Sequence, residues 1–349
     1  MLALHTLWFV VIVFFWTGFF VLEGFDFGVG VLHVVVGRTS EERAEALESI
    51  GPFWDGNEVW LIVAGAATFA AFPGWYATMF SSLYLALLLV LAALMARGVA
   101  LEFRSKLEDQ RWRRAWTWAT VGGSALVPLL LGVGLGDLLH GLPINSSHEF
   151  TGNFFDLLTP YGLWTGVTLL LLSLLHGATF LLMKTTGELR ERSAAAARVL
   201  VWPAAVAMLA FVIWTRAIAG PHFPSPLIAL AAIAVLAAPY LISTQHAGWA
   251  FATSAAGMAT AVVSIFVALY PNVMVSSTNA AYNLTVSNSS SAKYALTVMT
   301  VVAVLFLPLV LLYQGWSYHV FRARVGSGKA PAEPLPPATA PAATTEPTG

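Results

Sequence analysis

Two short acidic runs near the N-terminus carry residue types that could move protons. The first is Glu23-Gly-Phe-Asp26-Phe-Gly28-Val-Gly30, and the second is Trp54-Asp55-Gly-Asn57-Glu58-Val-Trp60. Glu23 and Asp26 are three residues apart, as are Asp55 and Glu58, so on a helix each pair shares a face. Each run also has a bland explanation. Glu23 and Asp26 could sit at a membrane surface. Pro52 suits a first helical turn, where Asp55 complements the helix dipole. Neither explanation accounts for two acids, an amide and two Trp within seven residues. Apolar sequence also continues past Asp26 to Val36, which favours immersion.

The elements that must position these residues are membrane helices. Of 349 residues, 58% are hydrophobic and 10% charged, against about 25% charged in an average soluble domain. The composition is that of an all-α integral membrane protein. A net charge of −1 argues against a nucleic-acid partner. Cysteine is absent, which excludes disulfides, thiolate chemistry, Cys-ligated clusters and covalent haem attachment through CxxCH.

Runs long enough to cross a bilayer, roughly 20 residues each, lie near 4–30, 54–72, 76–96, 117–139, 160–183, 199–219, 226–243, 249–270 and 294–318. The first lacks a basic leader and is too long for a signal peptide, so it reads as a retained helix. With the N-terminus outside, 15 of the 17 basic residues fall on cytoplasmic segments. Nine transmembrane helices with a cytoplasmic C-terminus are therefore expected over 1–320. The stretch 321–349, rich in Pro and Ala, is expected to be a disordered cytoplasmic tail. Helices one and two are then antiparallel around a short cytoplasmic loop, so Glu23, Asp26, Asp55 and Glu58 converge at similar depth. Intramembrane bases are too few to pair them. Some must be protonated or reached by water, as proton entry requires.

Weaker signals complete the inventory. Arg97-Gly-Val-Ala-Leu-Glu102-Phe-Arg104 reads as an interfacial charge network closing the third helix. His176 is the His placed clearly inside a span, and a lone buried His is more often a satisfied core residue than a ligand. His5, His140, His148, His222, His246 and His319 sit near span ends without forming a ligand pair. No bis-His, HExxH or Ser-His-Asp arrangement occurs, so metal or haem ligation by this chain is not expected. The loops 140–159 and 271–293 are long enough for a small external cap. Their sequons at Asn145, Asn283 and Asn288 are the kind that arise by chance in Asn/Ser-rich loops.

The same residues resemble subunit II of the cytochrome bd-type quinol oxidases. The resemblance covers about 1–320. It rests on Glu23-Gly-Phe-Asp-Phe-Gly-Val-Gly30, Trp54-Asp-Gly-Asn-Glu-Val-Trp-Leu61, Phe69-Ala-Ala-Phe-Pro73 with Tyr76, and Arg97 through Arg104. Gly152-Asn-Phe-Phe155 with Tyr161-Gly162, and His176-Gly-Ala178 through Lys184-Thr-Thr-Gly187, extend it. It implies nine helices as two four-helix bundles plus one peripheral helix. It also implies a partner, subunit I, that carries two b-type haems and one d-type haem.

Such a complex, in the bacterial cytoplasmic membrane, oxidises quinol and reduces dioxygen to water without pumping. Subunit II is implied to contribute proton uptake through Asp26 and Asp55, with Glu23 and Glu58 in support. Glu58 stands where some members have Gln, and Glu23 where many have Asp. Asn57, Glu102 and His176 are secondary candidates. The resemblance leaves room for a structural quinone, membrane lipid and small single-helix accessory subunits, with no residue set that marks them. Two other readings remain open at this level: a proton-coupled secondary transporter, and a purely structural subunit.

Overall fold

The computed structural model describes residues 2–220, 223 and 225–326. His222 and the part of the expected tail from 327 onward lie outside the described residues. The helices are α1 (Leu2–Val36), α2 (Ser40–Glu48), α3 (Trp54–Ala71), α4 (Pro73–Ser82), α5 (Tyr84–Phe103) and α6 (Gln110–His140). They continue with α7 (Pro160–Lys184), α8 (Gly187–Ala219), α9 (Ser225–Ser243), α10 (Ala247–Leu269) and α11 (Lys293–Val320). Among the described residues, eight helices are long and apolar enough to cross a membrane. Helix α3, expected as a further crossing, is not one of the eight; its 18 residues begin with the polar run from Trp54 to Glu58.

Several boundaries differ from expectation for local reasons. Helix α1 runs six residues beyond 30, to Val36, and α8 begins at Gly187 rather than near 199. Hydropathy marks the apolar stretch of a helix, whereas its hydrogen-bond ladder continues into polar turns. The run 76–96 spans two helices broken at Leu83. There the hydroxyls of Ser81 and Ser82 both donate to the Thr78 carbonyl, competing with the ladder.

Helix α1 is the hub, packing against α3, α6, α7 and α10, while α7 to α10 pack among themselves. Its aromatic residues Phe19, Phe20, Phe25 and Phe27 are fully buried. The seam with α7 depends on two glycines. A Cβ on Gly28 would collide with the carbonyl of Ser173, and one on Gly177 with the backbone of Gly28, so the two backbones touch directly.

The two ends of the molecule differ. One is closed by a cap in which β1 (Asn272–Met274) pairs antiparallel with β2 (Leu284–Thr285), and Leu142 bridges to Ser276. The cap grips the α3–α4 turn: Ser291 N–H donates to the Ala71 carbonyl at 2.8 Å and Gly74 N–H to that of Ser289 at 3.2 Å. The opposite, basic end carries α2, whose N-cap Thr39 and Glu42 form a reciprocal capping box. The Arg192 guanidinium and the Arg38 N–H hold the Glu42 carboxyl below its ordinary range.

Replacing Gly28 with Leu should separate α1 from α7 and cost about 1–3 kcal/mol or more. Thermal unfolding of the purified protein should show a lowered midpoint. Gly122→Ala, at a position with open space around it, should leave the midpoint unchanged or raised.

Candidate functional site

Glu23 and Asp26 lie one turn apart on α1, and both side chains are fully buried. Asp26 is ten residues short of the end of α1, so both acids are enclosed by protein and not at a helix end. Helix α1 continues about 15 Å past it at 1.5 Å per residue. The chain returns through α2 and a turn that buries Ile50 and Phe53. Helix α3 therefore starts deep, with its first turn beside residues 22–26 of α1. Asn57 Nδ2 donates to Asp26 Oδ2 at 2.7 Å and to the Leu22 carbonyl at 3.0 Å. Asp26 Oδ1 has no hydrogen-bond partner.

The base thought to be missing is Arg97. Its side chain is fully buried, and Nη1 lies 2.6 Å from Glu23 Oε1 and 3.7 Å from Glu58 Oε2. The guanidinium also sits 4.9 Å from the centre of the Phe27 ring. The interfacial network expected over 97–104 is thus dissolved. Arg97 points into the bundle, Arg104 donates to Thr117 Oγ1 at 3.0 Å, and Glu102 is exposed. Position within a segment places a residue along the helix axis but not around it, and Arg97 faces the opposite way from Glu102.

Of the four expected acids, three converge. Glu58 keeps 22% of its side chain exposed, between the buried pair and the surface. Asp55, three residues before Glu58 on α3, is exposed. Two further residues, outside both acidic runs, take part. Gln314 Nε2 and the Tyr318 hydroxyl on α11 both donate to Asn57 Oδ1 at 3.0 Å. The sequence carries a partial signal for them: Gln314 ends the apolar run 301–313 of α11, and Tyr318 follows four residues later on the same face.

His176 is buried on the far side of α1. Its Nε2 donates to the Val21 carbonyl at 3.1 Å, so Nδ1 accepts from the Ser254 hydroxyl at 2.7 Å. With both nitrogens engaged and Phe251 stacked 4.4 Å away, this ring does not fit an axial haem ligand. His33 is also buried, with Nδ1 on the Gly30 carbonyl. Among the described residues, no group of three or more His, Cys, Asp or Glu side chains could hold a metal ion.

One buried acid lies outside the expected clusters. Asp137, near the capped end of α6, accepts from Thr159 Oγ1 at 2.6 Å. Thr159 caps α7 by accepting from Gly162 N–H at 2.9 Å. This arrangement ties two helix ends together.

With this geometry in view, the family described as cytochrome bd terminal oxidase subunit II matches residues 4–321. Cytochrome bd ubiquinol oxidase subunit 2 of Bacillus subtilis is 42% identical over 333 residues, covering 93% of this chain and 98% of the relative. Cytochrome bd-I ubiquinol oxidase subunit 2 of Escherichia coli is 37% identical over 361 residues, covering 93% and 95%. The solved bd oxidase from Geobacillus thermodenitrificans contains a chain with the same fold. The TM-score is 0.72 at 17% identity, over 91% of this chain and 98% of that one.

Arg97→Met strands the Glu23 carboxyl without its partner and should cost about 3–5 kcal/mol. The double variant with Glu23→Gln should recover most of that loss. The check is the thermal midpoint and folded yield of both proteins in detergent.

Proposed function

Because the chain belongs to the cytochrome bd terminal oxidase subunit II family, it is a subunit of a bacterial membrane oxidoreductase that pairs with subunit I, and we propose that it supplies that complex with protons. In this reading the chain crosses the membrane nine times, α3 being the crossing that hydropathy alone does not mark. The basic end faces the cytoplasm, in keeping with the clustering of Lys and Arg there. The haems belong to subunit I, as the engaged ring of His176 suggests. The complex passes electrons from quinol to dioxygen, which is reduced to water without proton pumping.

The observation that carries the proposal is a gradient of exposure along acids of one region. Asp55 is exposed, Glu58 is partly exposed, and Glu23 and Asp26 are fully buried. A proton path needs an acid at the surface, one at the boundary and one inside. Asp55 collects protons, and Glu58 beside Arg97 passes them inward. Asp26 presents its unpartnered oxygen Oδ1 for delivery toward the partner. Asn57 orients Asp26 without titrating. Arg97 supplies positive charge that lets more than one carboxyl share the region. Glu102 and His176 have no part in it.

A purely structural role has one observation in its favour, the Glu23–Arg97 pair, which would brace α1 against α5 without moving protons. The two readings separate in the intact complex. Asp26→Asn and Asp55→Asn should each lower quinol-driven oxygen consumption about tenfold or more, with the haem content of the purified complex unchanged. Wild-type turnover after neutralising all four acids would leave only the structural role.

A further inference from the structure

Helix α11 has a single buried residue, Leu296 near its capped end. With so little of it buried against the rest of the chain, α11 gains little apolar contact there, so polar contacts decide where it lies relative to α1 and α3. At the capped end the Trp8 indole N–H donates to the Leu296 carbonyl and to Thr300 Oγ1. At the basic end, 24 residues later, the position of α11 matters to the site, because Gln314 and Tyr318 reach Asn57 from there.

We propose that Lys184, at the end of α7, is the latch that holds the basic end of α11 and so keeps Tyr318 and Gln314 on Asn57. Lys184 is a positioning residue for Asp26, and the proposal rests on the reading of Asp26 as a proton carrier.

The grip is made twice by one residue. Lys184 Nζ donates to the carbonyls of Phe321 and Ala323 at 2.5 and 2.7 Å, groups left over where α11 ends. The main-chain carbonyl of Lys184 accepts from Val325 N–H at 2.8 Å. Arg324 Nε donates to the neighbouring Met183 carbonyl at 3.1 Å. A lysine at a helix end ordinarily extends into water, yet Lys184 is only 6% exposed. Its ammonium lies 5.5 Å from the centre of the Phe53 ring, and Phe53 stacks on Tyr318 at 4.5 Å. The cation, the aromatic pair and the phenol hydroxyl therefore form one connected column from Lys184 to Asn57.

The consequence falls on the amide of Asn57. Two donors from α11 meet Oδ1, which turns Nδ2 toward Asp26 and the Leu22 carbonyl. If α11 drifts, Asn57 Oδ1 loses both of its donors, and the amide is held only by the bonds from Nδ2 to Asp26 and the Leu22 carbonyl. The donor to Asp26 is then free to shift, because nothing presses the amide toward α1 from the other side.

The test uses the intact complex. Lys184→Met should speed hydrogen–deuterium exchange in the segment 318–326 about tenfold or more. It should also lower oxygen consumption while leaving haem content unchanged, and Lys184→Arg should restore both. In a Gln314→Leu/Tyr318→Phe background, Lys184→Met should cause no further loss of turnover, because all three act through one contact. Unchanged exchange in Lys184→Met, or additive losses in that background, would overturn the latch. Should Lys184→Met fail to assemble, Lys184→Gln gives the same readings. Wild-type turnover in Asp26→Asn would sink the proton reading. A failing Asp26→Asn beside a fully active Lys184→Met would sink the latch alone.

Discussion

A carboxylate and a guanidinium buried together inside a helix bundle set the terms for everything around them. Neither Glu23 nor Arg97 has any exposed surface. An isolated charge there would cost several kcal/mol, so α1 and α5 must be held where the pair can meet. The glycine seam between α1 and α7 fixes one side of α1. Gly123 fixes the other partner, since a Cβ there would press on the Ala93 carbonyl and on Arg97 itself. Small residues are thus placed where helices must approach closely for charges to be satisfied.

The same constraint explains why α3 is short and begins deep. Its first turn must deliver Asn57 to Asp26 and Glu58 to Arg97, so its polar residues cannot stay at the end of the bundle. The segment 37–53 folds back to allow this. It is stapled by the α2 capping box and by Arg192, which bonds Glu42, Glu188 and the Val36 carbonyl. At the far end of α3 the cap takes up the free carbonyls of Ala70 and Ala71 through Ser291. A helix too polar to be recognised by hydropathy is therefore anchored by hydrogen bonds at both ends.

Buried polarity outside the acid site has a different character. His176 and Asp137 are each as inaccessible as Asp26, but each is bound to a residue of a neighbouring helix: His176 to Ser254 of α10, and Asp137 to Thr159 at the head of α7. They join elements, as Asp26 also does through Asn57 of α3, and Asp137 Oδ2, like Asp26 Oδ1, has no hydrogen-bond partner. What sets Asp26 apart is its company: Glu23, one turn away, is paired with Arg97, and the acid nearest to Asp26 on α3 opens toward the surface. Burial and an unpartnered oxygen do not by themselves distinguish one buried acid from another; the charges around each one do.

Composition and periodicity determined the class of molecule, the places of most of its helices, and the polar runs around residues 23–30 and 54–60. Those features are local, because an apolar run and a charge interrupting it are visible along a single strand of sequence. The motifs also carried the family resemblance. What surrounds each acid was decided only in three dimensions. Arg97 could be read as interfacial because sequence gives a residue's height along a helix but not the direction it faces. Gln314 and Tyr318 could not be joined to Asn57 because more than 250 residues separate them and no periodicity records such a contact. Asp55, identical in type and spacing to its neighbours, is left outside by the rotation of α3, a property of helix packing rather than of the residues themselves.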